Sequence, residues 1–278
     1  MAPELTATTL TGKTDPSSTM ETAARQLGFR VTRLDASTVL VNARGLKLAY
    51  TRWMGSGAPR TAARLCQNRY ELTGYLDRRS IPVNEWHLVT KKDRDEISKT
   101  LDGRSCVVHV THHRFGKHWP VPGGDERRFR RAWQAAFSHH SAVKATTRVA
   151  IELVDADREL EALIVDGRVL ATIQSTPPAA PGTGRQDPRR PGAAVTVIEL
   201  ERKSQKLARE VLAPIPGLRY AAVHLLQSGE AGWFRQPSTV VRQVSLTPTQ
   251  RFFSHIPEDA AATAARAILE SDIRSARA

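Results

Sequence analysis

The sequence predicts an α+β fold, in which helices and antiparallel strand pairs are mixed along a chain of 278 residues. Helical segments alternate with hairpins rather than with single strands, which disfavours a doubly wound parallel sheet. Asp166-Gly167 between two apolar runs is the strongest hairpin signal in the chain. The segment 125–137 places its apolar residues on one helical face. Together these features predict a mixed α+β pattern with hairpins, which begins with a small N-terminal unit.

The first 60 residues are predicted to form a tail and the small N-terminal unit. Residues 1–19 are rich in threonine, serine and proline and carry little apolar surface to bury, which is typical of a mobile tail. Residues 20–60 are predicted to form a small α/β unit with one short helix and three strands, at 20–27, 29–34, 38–41 and 46–50.

Residues 61–150 contain the first group of predicted elements after the N-terminal unit. Its opening helix, 61–79, carries Leu65, Leu72 and Leu76 on one face, with Thr61 as its cap and a stop at Ile81-Pro82. The other predicted elements are strand 85–89, helix 93–101, buried strand 105–110, an irregular stretch 112–124, helix 125–137 and strand 148–154.

Residues 151–278 contain the second group of predicted elements. Its hairpin turns at Asp166-Gly167, and a proline- and glycine-rich loop follows it. Pro257 opens the last helix, with acidic residues at the start and arginines at the end, as the helix dipole prefers. The predicted elements are strands 160–165 and 168–173, loop 176–193, helix 199–212 and strands 220–226 and 239–244.

Composition bounds the partners and the compartment. The chain has 41 Lys and Arg against 28 Asp and Glu, a formal net charge of +13, which fits either a polyanionic partner or a basic surface without one. Cys66 and Cys106 each lie in an apolar run, which predicts reduced, buried thiols and a cytoplasmic protein. Since no apolar run is long enough to span a bilayer and the N-terminus lacks a signal sequence, no membrane association is expected.

The common chemical motifs give little support for a simple active site. His109, His112, His113 and His118 have no acidic residue or cysteine close by in sequence, so we interpret them as solvated or stacking side chains. The glycine-containing segments 115–118 and 182–184 match neither a Walker loop nor a dinucleotide fingerprint. Arginines surround Phe129 and Trp133, a composition that can bind single-stranded nucleic acid, but the helical spacing favours a core role.

An ordered series of segments covers most of the chain, from about residue 22 to the C-terminus. It comprises Leu72-Thr73, Ile81-Pro82-Val83, the strand 106–110, Gly116-Lys117, Ile151-Glu152, Arg158-Glu159, Asp166-Gly167, Pro177-Pro178 with Gly182-Thr183-Gly184, the stretch 216–226 and the stretch 240–248 with Arg251 beyond it. This series resembles an ATP-grasp domain, in particular the branch of cyanophycin synthetase and glutathione synthetase. The resemblance implies two α+β lobes, residues 61–150 and 151–278, after the small N-terminal unit.

The resemblance implies roles for particular residues. His109 takes the place of the strand lysine that contacts nucleotide phosphate, Lys117 lies in the phosphate flap and Glu152 lies at the hinge. Gly182 and Gly184 fall in the loop that ends in Gly-Asp-Gly in the family. If the protein is active, Arg251 would act as the catalytic residue that contacts the acyl-phosphate or the substrate carboxylate.

The departures from the family pattern concern the metal and nucleotide positions. His224 stands where the family has a metal-binding aspartate, and Gln243 and Ser245 stand in its Glu-x-Asn motif. Magnesium prefers carboxylate oxygens, so magnesium is not expected at the usual family site, whereas ATP binding stays open. Further substitutions fall at the positions that align with Arg69, Tyr70 and Glu161.

These observations predict a degenerate ATP-grasp protein related to ATP-dependent carboxylate–amine ligases. It would act as a non-catalytic or weakly catalytic binding subunit, beside an active ligase or with a peptide substrate. One alternative is an active but divergent carboxylate–amine ligase that forms peptide bonds, so whether the chain is an enzyme stays open. A second alternative is a protein whose basic cleft binds RNA or an anionic peptide; nucleic acid is not the favoured partner.

Overall fold

The computed structural model describes residues 15–111, 117–143, 148–154, 156–176, 194–228 and 238–277. Its internal contacts divide the chain into two units, residues 1–57 with 248–278 and residues 58–247. The predicted tail up to residue 14, the histidines at 112 and 113, and the loop with Gly182 and Gly184 lie outside the described residues. The predicted boundaries at residues 19, 60 and 150 stay predictions.

The unit that contains both chain ends has one small antiparallel sheet, with strand order β1-β2-β3-β4. Helix α1 begins at Pro16, before the predicted start at residue 20, because the Asp15 side chain accepts hydrogen bonds from the backbone N–H groups of Ser17 and Ser18. Its elements are α1 Pro16–Gln26, β1 Arg30–Arg33, β2 Thr38–Ala43, β3 Leu46–Thr51, β4 Met54–Gly55, α7 Gln250–His255 and α8 Glu258–Arg277.

The second unit begins with two helices where the sequence predicted one. Helix α2 spans Arg60–Gln67 and α3 spans Arg69–Asp77, because Asn68 between them has extended backbone angles (φ −110°, ψ 94°). The Asn68 side chain then accepts a hydrogen bond from the backbone N–H of Glu71 and caps α3. Thr61 is not the cap of α2, since Pro59 holds that position.

A four-stranded antiparallel sheet, with order β5-β8-β6-β7, forms the first layer of this unit. Part of the stretch predicted to be irregular, 112–124, is strand β7, which pairs with β6 through partners such as Val108 and Trp119. The layer comprises β5 Trp86–Val89, a short 3-10 turn at Lys91–Asp93, α4 Arg94–Leu101, β6 Cys106–Thr111, β7 Lys117–Val121, α5 Glu126–Val143 and β8 Arg148–Leu153.

A five-stranded antiparallel sheet, with order β11-β10-β9-β12-β13, forms the rest of the unit. The hairpin predicted at Asp166-Gly167 is confirmed, and both turn residues have positive φ angles (46° and 72°). Antiparallel sheets with separate helices make the fold α+β, as predicted. The elements are β9 Arg158–Val165, β10 Arg168–Thr176, β11 Ala194–Val197, α6 Arg202–Glu210, β12 Tyr220–Ser228 and β13 Ser238–Ser245.

Two predictions about side-chain burial are confirmed in these layers. Phe129 and Trp133 are 2% and 3% exposed and belong to the apolar core beneath α5, so neither ring is available to stack on a nucleic-acid base. Cys66 and Cys106 are buried, free thiols, and burial raises the pKa of each to about 12. Within the part of the chain that the structure describes, none of the helices is long and apolar enough to cross a membrane.

Candidate functional site

The four-stranded sheet gathers polar side chains on one of its faces. Along β6, Cys106, Val108 and Val110 point into the apolar core with α4 and α5, so Val107 and His109 point the other way. Strand register places Glu152 of β8 beside Val107, between β6 and β5. The residues that share this second face include Trp86, Glu152, Val107, His109 and His118.

Glu152 is the centre of a buried hydrogen-bonded cluster. It is 0% exposed, and the Arg242 guanidinium donates to it twice, with Nε 2.8 Å from Oε1 and Nη2 3.2 Å from Oε2. The Nδ2 of Asn84 donates to Oε1 at 2.9 Å, and the Nε2 of His109 lies 2.8 Å from Oε2. Arg69 Nη1 lies 4.0 Å from Oε2. Both carboxylate oxygens are therefore engaged by side chains of the protein itself.

A β-bulge brings Arg242 to this cluster. His224 pairs with Gln243 and Leu225 pairs with Val241, so Arg242 is the extra residue in β13. Asn84 reaches the same point because its backbone N–H donates to the carbonyl of Val241, while the Val241 N–H donates to Pro82. These contacts tie the segment before β5 to β13 and bring Asn84 and Arg242 to Glu152 from two directions.

The cluster keeps Glu152 charged and His109 neutral. Burial would raise the pKa of Glu152, but the Arg242 guanidinium and the hydrogen bond with His109 hold that pKa well below its usual value. Burial lowers the pKa of His109 to about 4, although the neighbouring Glu152 carboxylate opposes the shift. At neutral pH the imidazole is therefore uncharged and donates its Nε2 proton to Glu152.

Two further buried carboxylates lie on β9 beside this cluster. Glu159 and Glu161 are 6% and 4% exposed, and Glu159 Oε2 lies 3.8 Å from Nη1 of Arg242. His224, opposite Glu161 across the strand pair, places Nδ1 3.4 Å from Glu159 Oε1 and Nε2 4.0 Å from Glu161 Oε1. Three glutamates and two arginines thus share one interior region.

Aromatic rings continue the cluster along the polar face of the four-stranded sheet. The Trp86 and His109 rings lie 4.7 Å apart between centroids, and the Trp86 Nε1 donates to Asn84 Oδ1 at 3.1 Å. Tyr70 of α3 meets Trp86 at 6.2 Å, and His118 meets His109 at 6.1 Å. Trp86 therefore fixes both the amide of Asn84 and the ring plane of His109. Of the two alternatives predicted for the histidines, solvated or stacking, His109 and His118 show a tilted ring contact, and His109 is buried rather than solvated.

The predicted site residues are partly brought together. His109 and Glu152 are in direct contact, and His224 lies opposite Gln243. Lys117 is exposed on β7, and Ser245 donates its hydroxyl proton to the Thr247 carbonyl at 2.7 Å. Arg251 lies on α7, in the unit that contains the chain ends.

The residues that the resemblance assigned to metal positions do not fit magnesium. An imidazole, an amide and a hydroxyl that already donates to a backbone carbonyl stand at His224, Gln243 and Ser245, and none of them carries the negative charge that Mg²⁺ prefers. Among the described residues, no group of three or more His, Cys, Asp or Glu side chains is placed to hold a metal ion.

Sequence reasoning missed the residues that complete the cluster, namely Arg242, Asn84 and Trp86. Arg242 carried the clearest signal, because it is a charged residue inside the apolar run Val240–Val244. A charge in a buried strand needs a partner, and Glu152 in the apolar strand 148–154 is a residue of the opposite sign. That reasoning identifies the need for a pair but not which residues form it.

Comparisons with known proteins give matches in structure only. No protein-family model and no curated protein sequence matches this chain. The ATP-grasp ligase PsnB, solved with a phosphomimetic variant of its minimal precursor, Mg and ADP, matches 77% of this chain at 13% identity with a TM-score of 0.53. This chain spans 60% of the length of that ligase.

Other matching structures have the same architecture. The macrocyclase MdnC from Microcystis aeruginosa, bound with the precursor peptide MdnA, matches 92% of this chain and 96% of its own at 9% identity, with a TM-score of 0.57. D-alanine–D-alanine ligase from Bacillus anthracis matches 80% of this chain and 72% of its own at 19% identity, with a TM-score of 0.54. The chain therefore has an ATP-grasp-like α+β fold, as its ordered segments predicted.

Proposed function

We propose that this chain is a degenerate ATP-grasp protein, a non-catalytic or weakly catalytic binding subunit related to ATP-dependent carboxylate–amine ligases. The observation that carries the proposal is the Glu152 cluster. Arg242, His109 and Asn84 engage both oxygens of the glutamate that the family resemblance assigns to the hinge. A carboxylate that is 0% exposed and bonded in this way has no acceptor left for a nucleotide.

His109 supports the same proposal, because it cannot replace a lysine that binds phosphate. The resemblance gives it the position of a lysine, whose role would be to bring positive charge to a phosphate. Burial lowers its pKa to about 4, so at neutral pH the ring has no charge to offer. Its Nε2 proton is also engaged with Glu152. Neither the charge nor the free donor that the lysine would supply is present.

The metal positions add a third line of support. A carboxylate–amine ligase transfers a phosphoryl group from ATP to a carboxylate, and Mg²⁺ neutralises and orients the phosphates in that step. His224, Gln243 and Ser245 do not form a donor set for Mg²⁺, so we derive no catalytic step through magnesium in this chain.

The first test measures ADP release by the purified protein with ATP, Mg²⁺ and a panel of amino acids and short peptides. We expect no release above that of a heat-inactivated control. ADP release that depends on one of the added substrates would contradict the proposal and would support the alternative, an active but divergent ligase.

A second test asks whether the scaffold still forms the ligand cleft. The triple variant His224→Glu, Gln243→Glu, Ser245→Asn supplies carboxylate and amide oxygens at the metal positions. A scaffold that has lost only its ligands should gain magnesium-dependent binding of a fluorescent ATP analogue. Absence of any gain in a folded triple variant would contradict a preserved nucleotide pocket. The variant Arg266→Glu on α8, in the other unit, controls for altered surface charge.

A peptide or an active ligase is the partner class that fits a binding subunit of this fold. Support for a peptide comes from the structural neighbours PsnB and MdnC, which were solved with their precursors. Co-purification with a tagged form of this chain tests for either class. Recovery of neither a peptide nor a ligase would contradict this assignment.

A further inference from the structure

The outer face of the small N-terminal sheet is open and carries positive charge. On the inner side of β2 and β3, Val39, Val41 and Tyr50 are 0% exposed, so the alternate residues point outward. We call these outward-pointing residues, with two neighbours, the outer face. It consists of Arg30, Thr32, Leu40, Asn42, Lys47, Ala49 and Thr51, together with Arg44 in the β2–β3 turn and Leu34 directly after β1.

Three cations cluster at one end of the outer face. Arg30, Asn42 and Lys47 lie directly opposite one another across the three strands, and all three are exposed. Arg44 lies in the adjoining turn. Arg30, Arg44 and Lys47 form no ion pair with any residue that the structure describes. Arg33, by contrast, is neutralised by Glu21 at 2.8 Å.

The neighbourhood offers little negative charge to balance this cluster. Asp35 is the only acidic residue between residues 30 and 51, and its carboxylate accepts hydrogen bonds from the backbone and hydroxyl of Ser37. Arg30 and Lys47 lie on either side of Asn42 in one row, so their charges add to one positive potential. The row is therefore complementary to an external anion.

Arg44 also occupies an unfavourable backbone conformation. Its φ is 54°, followed by 90° at Gly45, a two-residue hairpin turn in which asparagine or glycine is the usual first residue. An arginine in the left-handed region costs roughly 1–2 kcal/mol. The turn lies one residue pair beyond the Asn42–Lys47 pair, so it places Arg44 at the same end of the sheet as Arg30 and Lys47.

We propose that the outer face binds a partner polypeptide segment that carries both acidic and apolar side chains. The acidic side chains would pair with Arg30, Arg44 and Lys47. The apolar ones would contact Leu40 and Leu34, which is 57% exposed. Strand β1 also lies at the edge of its sheet, where a peptide can add a strand through main-chain hydrogen bonds.

Two other occupants fit this face less well. Nucleic-acid bases stack on aromatic rings, but Tyr50 and Trp53 of this sheet are both 0% exposed. A second copy of the chain would bring a net charge of +13 against a positive surface. The inference deepens the proposed binding role by naming the partner chemistry, and it rests on that role.

The test uses a fluorescent peptide of about ten residues with alternating glutamate and leucine, long enough to cover a strand. Fluorescence anisotropy should show binding that weakens as salt rises. The variant Arg30→Glu, Lys47→Glu should weaken binding at least about tenfold, which corresponds to about 1.4 kcal/mol. The matched control Arg127→Glu, Arg202→Glu makes the same change in net charge at exposed positions on α5 and α6, and it should bind like the unmodified protein.

Each alternative outcome overturns the proposal. Equal binding by both double variants would show that net charge rather than this face attracts the peptide. Binding of duplex DNA as tight as that of the peptide, lost in the Arg30→Glu, Lys47→Glu variant, would replace the peptide with nucleic acid. Self-association that only this variant abolishes in sedimentation would replace the peptide with a second copy. The assay contains no ATP, so its failure is separate from ADP release, which would contradict the proposed function.

Discussion

The two faces of the four-stranded sheet β5-β8-β6-β7 bury side chains of opposite chemistry on the same strands. Cys106, Val108 and Val110 of β6 pack beneath α4 and α5, together with the rings of Phe129 and Trp133. On the other face, His109 of the same strand donates to a fully buried carboxylate. One face is stabilised by removal of apolar surface from water, the other by charges that compensate one another.

The difference lies in what each face tolerates. When a side chain on the apolar face is shortened, the free energy of unfolding falls with the volume of the cavity that is left. Neighbouring side chains can relax into this cavity and reduce the loss. Removing one partner of a buried ion pair lowers the free energy of unfolding strongly, because the remaining charge is neither paired nor hydrated. On our proposal, which rests on the family resemblance, this charged face takes the place of the nucleotide site, so internal ion pairs replace the ligand.

The largest expected effect comes from Arg242→Ala. This change leaves Glu152 ionised, buried and without its two strongest hydrogen bonds, and we expect the free energy of unfolding to fall by about 3–5 kcal/mol. Urea denaturation measures it. The double variant Arg242→Leu, Glu152→Leu removes both charges and should be clearly more stable than Arg242→Ala. Equal losses in the two variants would mean that the site is held by packing alone.

Val108→Ala probes the opposite face one residue away from His109. Val108 is 0% exposed, and loss of two methyl groups should cost about 2–3 kcal/mol. The loss should be the same at about pH 5 and pH 7, because no titrating group contributes to it. A pH-dependent loss would show that the two faces are coupled. The exposed Arg131→Ala on α5 should change stability by less than about 0.5 kcal/mol.

His109 should make the charged face sensitive to pH. Its pKa is 6.5 ordinarily and about 4 in the folded protein, so between these values the unfolded chain binds a proton that the folded chain does not. Stability therefore falls as pH drops from 6.5 towards 4.

The pH test compares the unmodified protein with His109→Gln, which cannot take up that proton. Between about pH 6.5 and pH 5 the unmodified protein should lose roughly 1.5 kcal/mol more than the variant, as urea denaturation at the two pH values measures. Parallel losses would indicate that His109 is charged in the folded protein.

Asn84→Ala should have the smallest effect of this series. It removes one hydrogen bond to the Glu152 carboxylate while Arg242 stays in place, so we expect a loss of about 1.5–2 kcal/mol. Because the Trp86 indole donates to Asn84 Oδ1, the fluorescence of Trp86 should change as well. The variant Trp86→Phe keeps a ring beside His109 but removes the hydrogen bond to Asn84, so it separates the ring contact from the hydrogen bond. An Asn84→Ala variant with unchanged stability and fluorescence would contradict a role of the amide in the cluster.

The apolar face could be predicted from the sequence, and the charged face largely could not. The run 106–110, apolar except for His109, and the helical spacing of Phe129 and Trp133 identify β6 and the core side of α5, because their signals are local. The position of Arg242 depends on a bulge between β12 and β13, which is a property of the strand pair and not of either strand. Its partner Glu152 lies 90 residues earlier in the chain.

The break between α2 and α3 shows a second limit of sequence patterns. Leu65, Leu72 and Leu76 keep a helical spacing across 61–79, and no proline or glycine interrupts it near Asn68. Asparagine favours N-caps but is tolerated inside helices, so the leucine spacing alone does not reveal the break. In the folded chain it caps α3, and Arg69 at the start of that helix lies 4.0 Å from Glu152.

Calorimetric titration of the unmodified protein with ATP, with and without Mg²⁺, tests most directly whether internal ion pairs have replaced the ligand. We predict no binding heat beyond dilution in either titration, because Glu152 and His109 are already engaged with each other and His224, Gln243 and Ser245 offer no carboxylate to the metal. Tight binding that requires Mg²⁺ would contradict this account and would mean that the chain keeps the nucleotide chemistry of an ATP-grasp ligase.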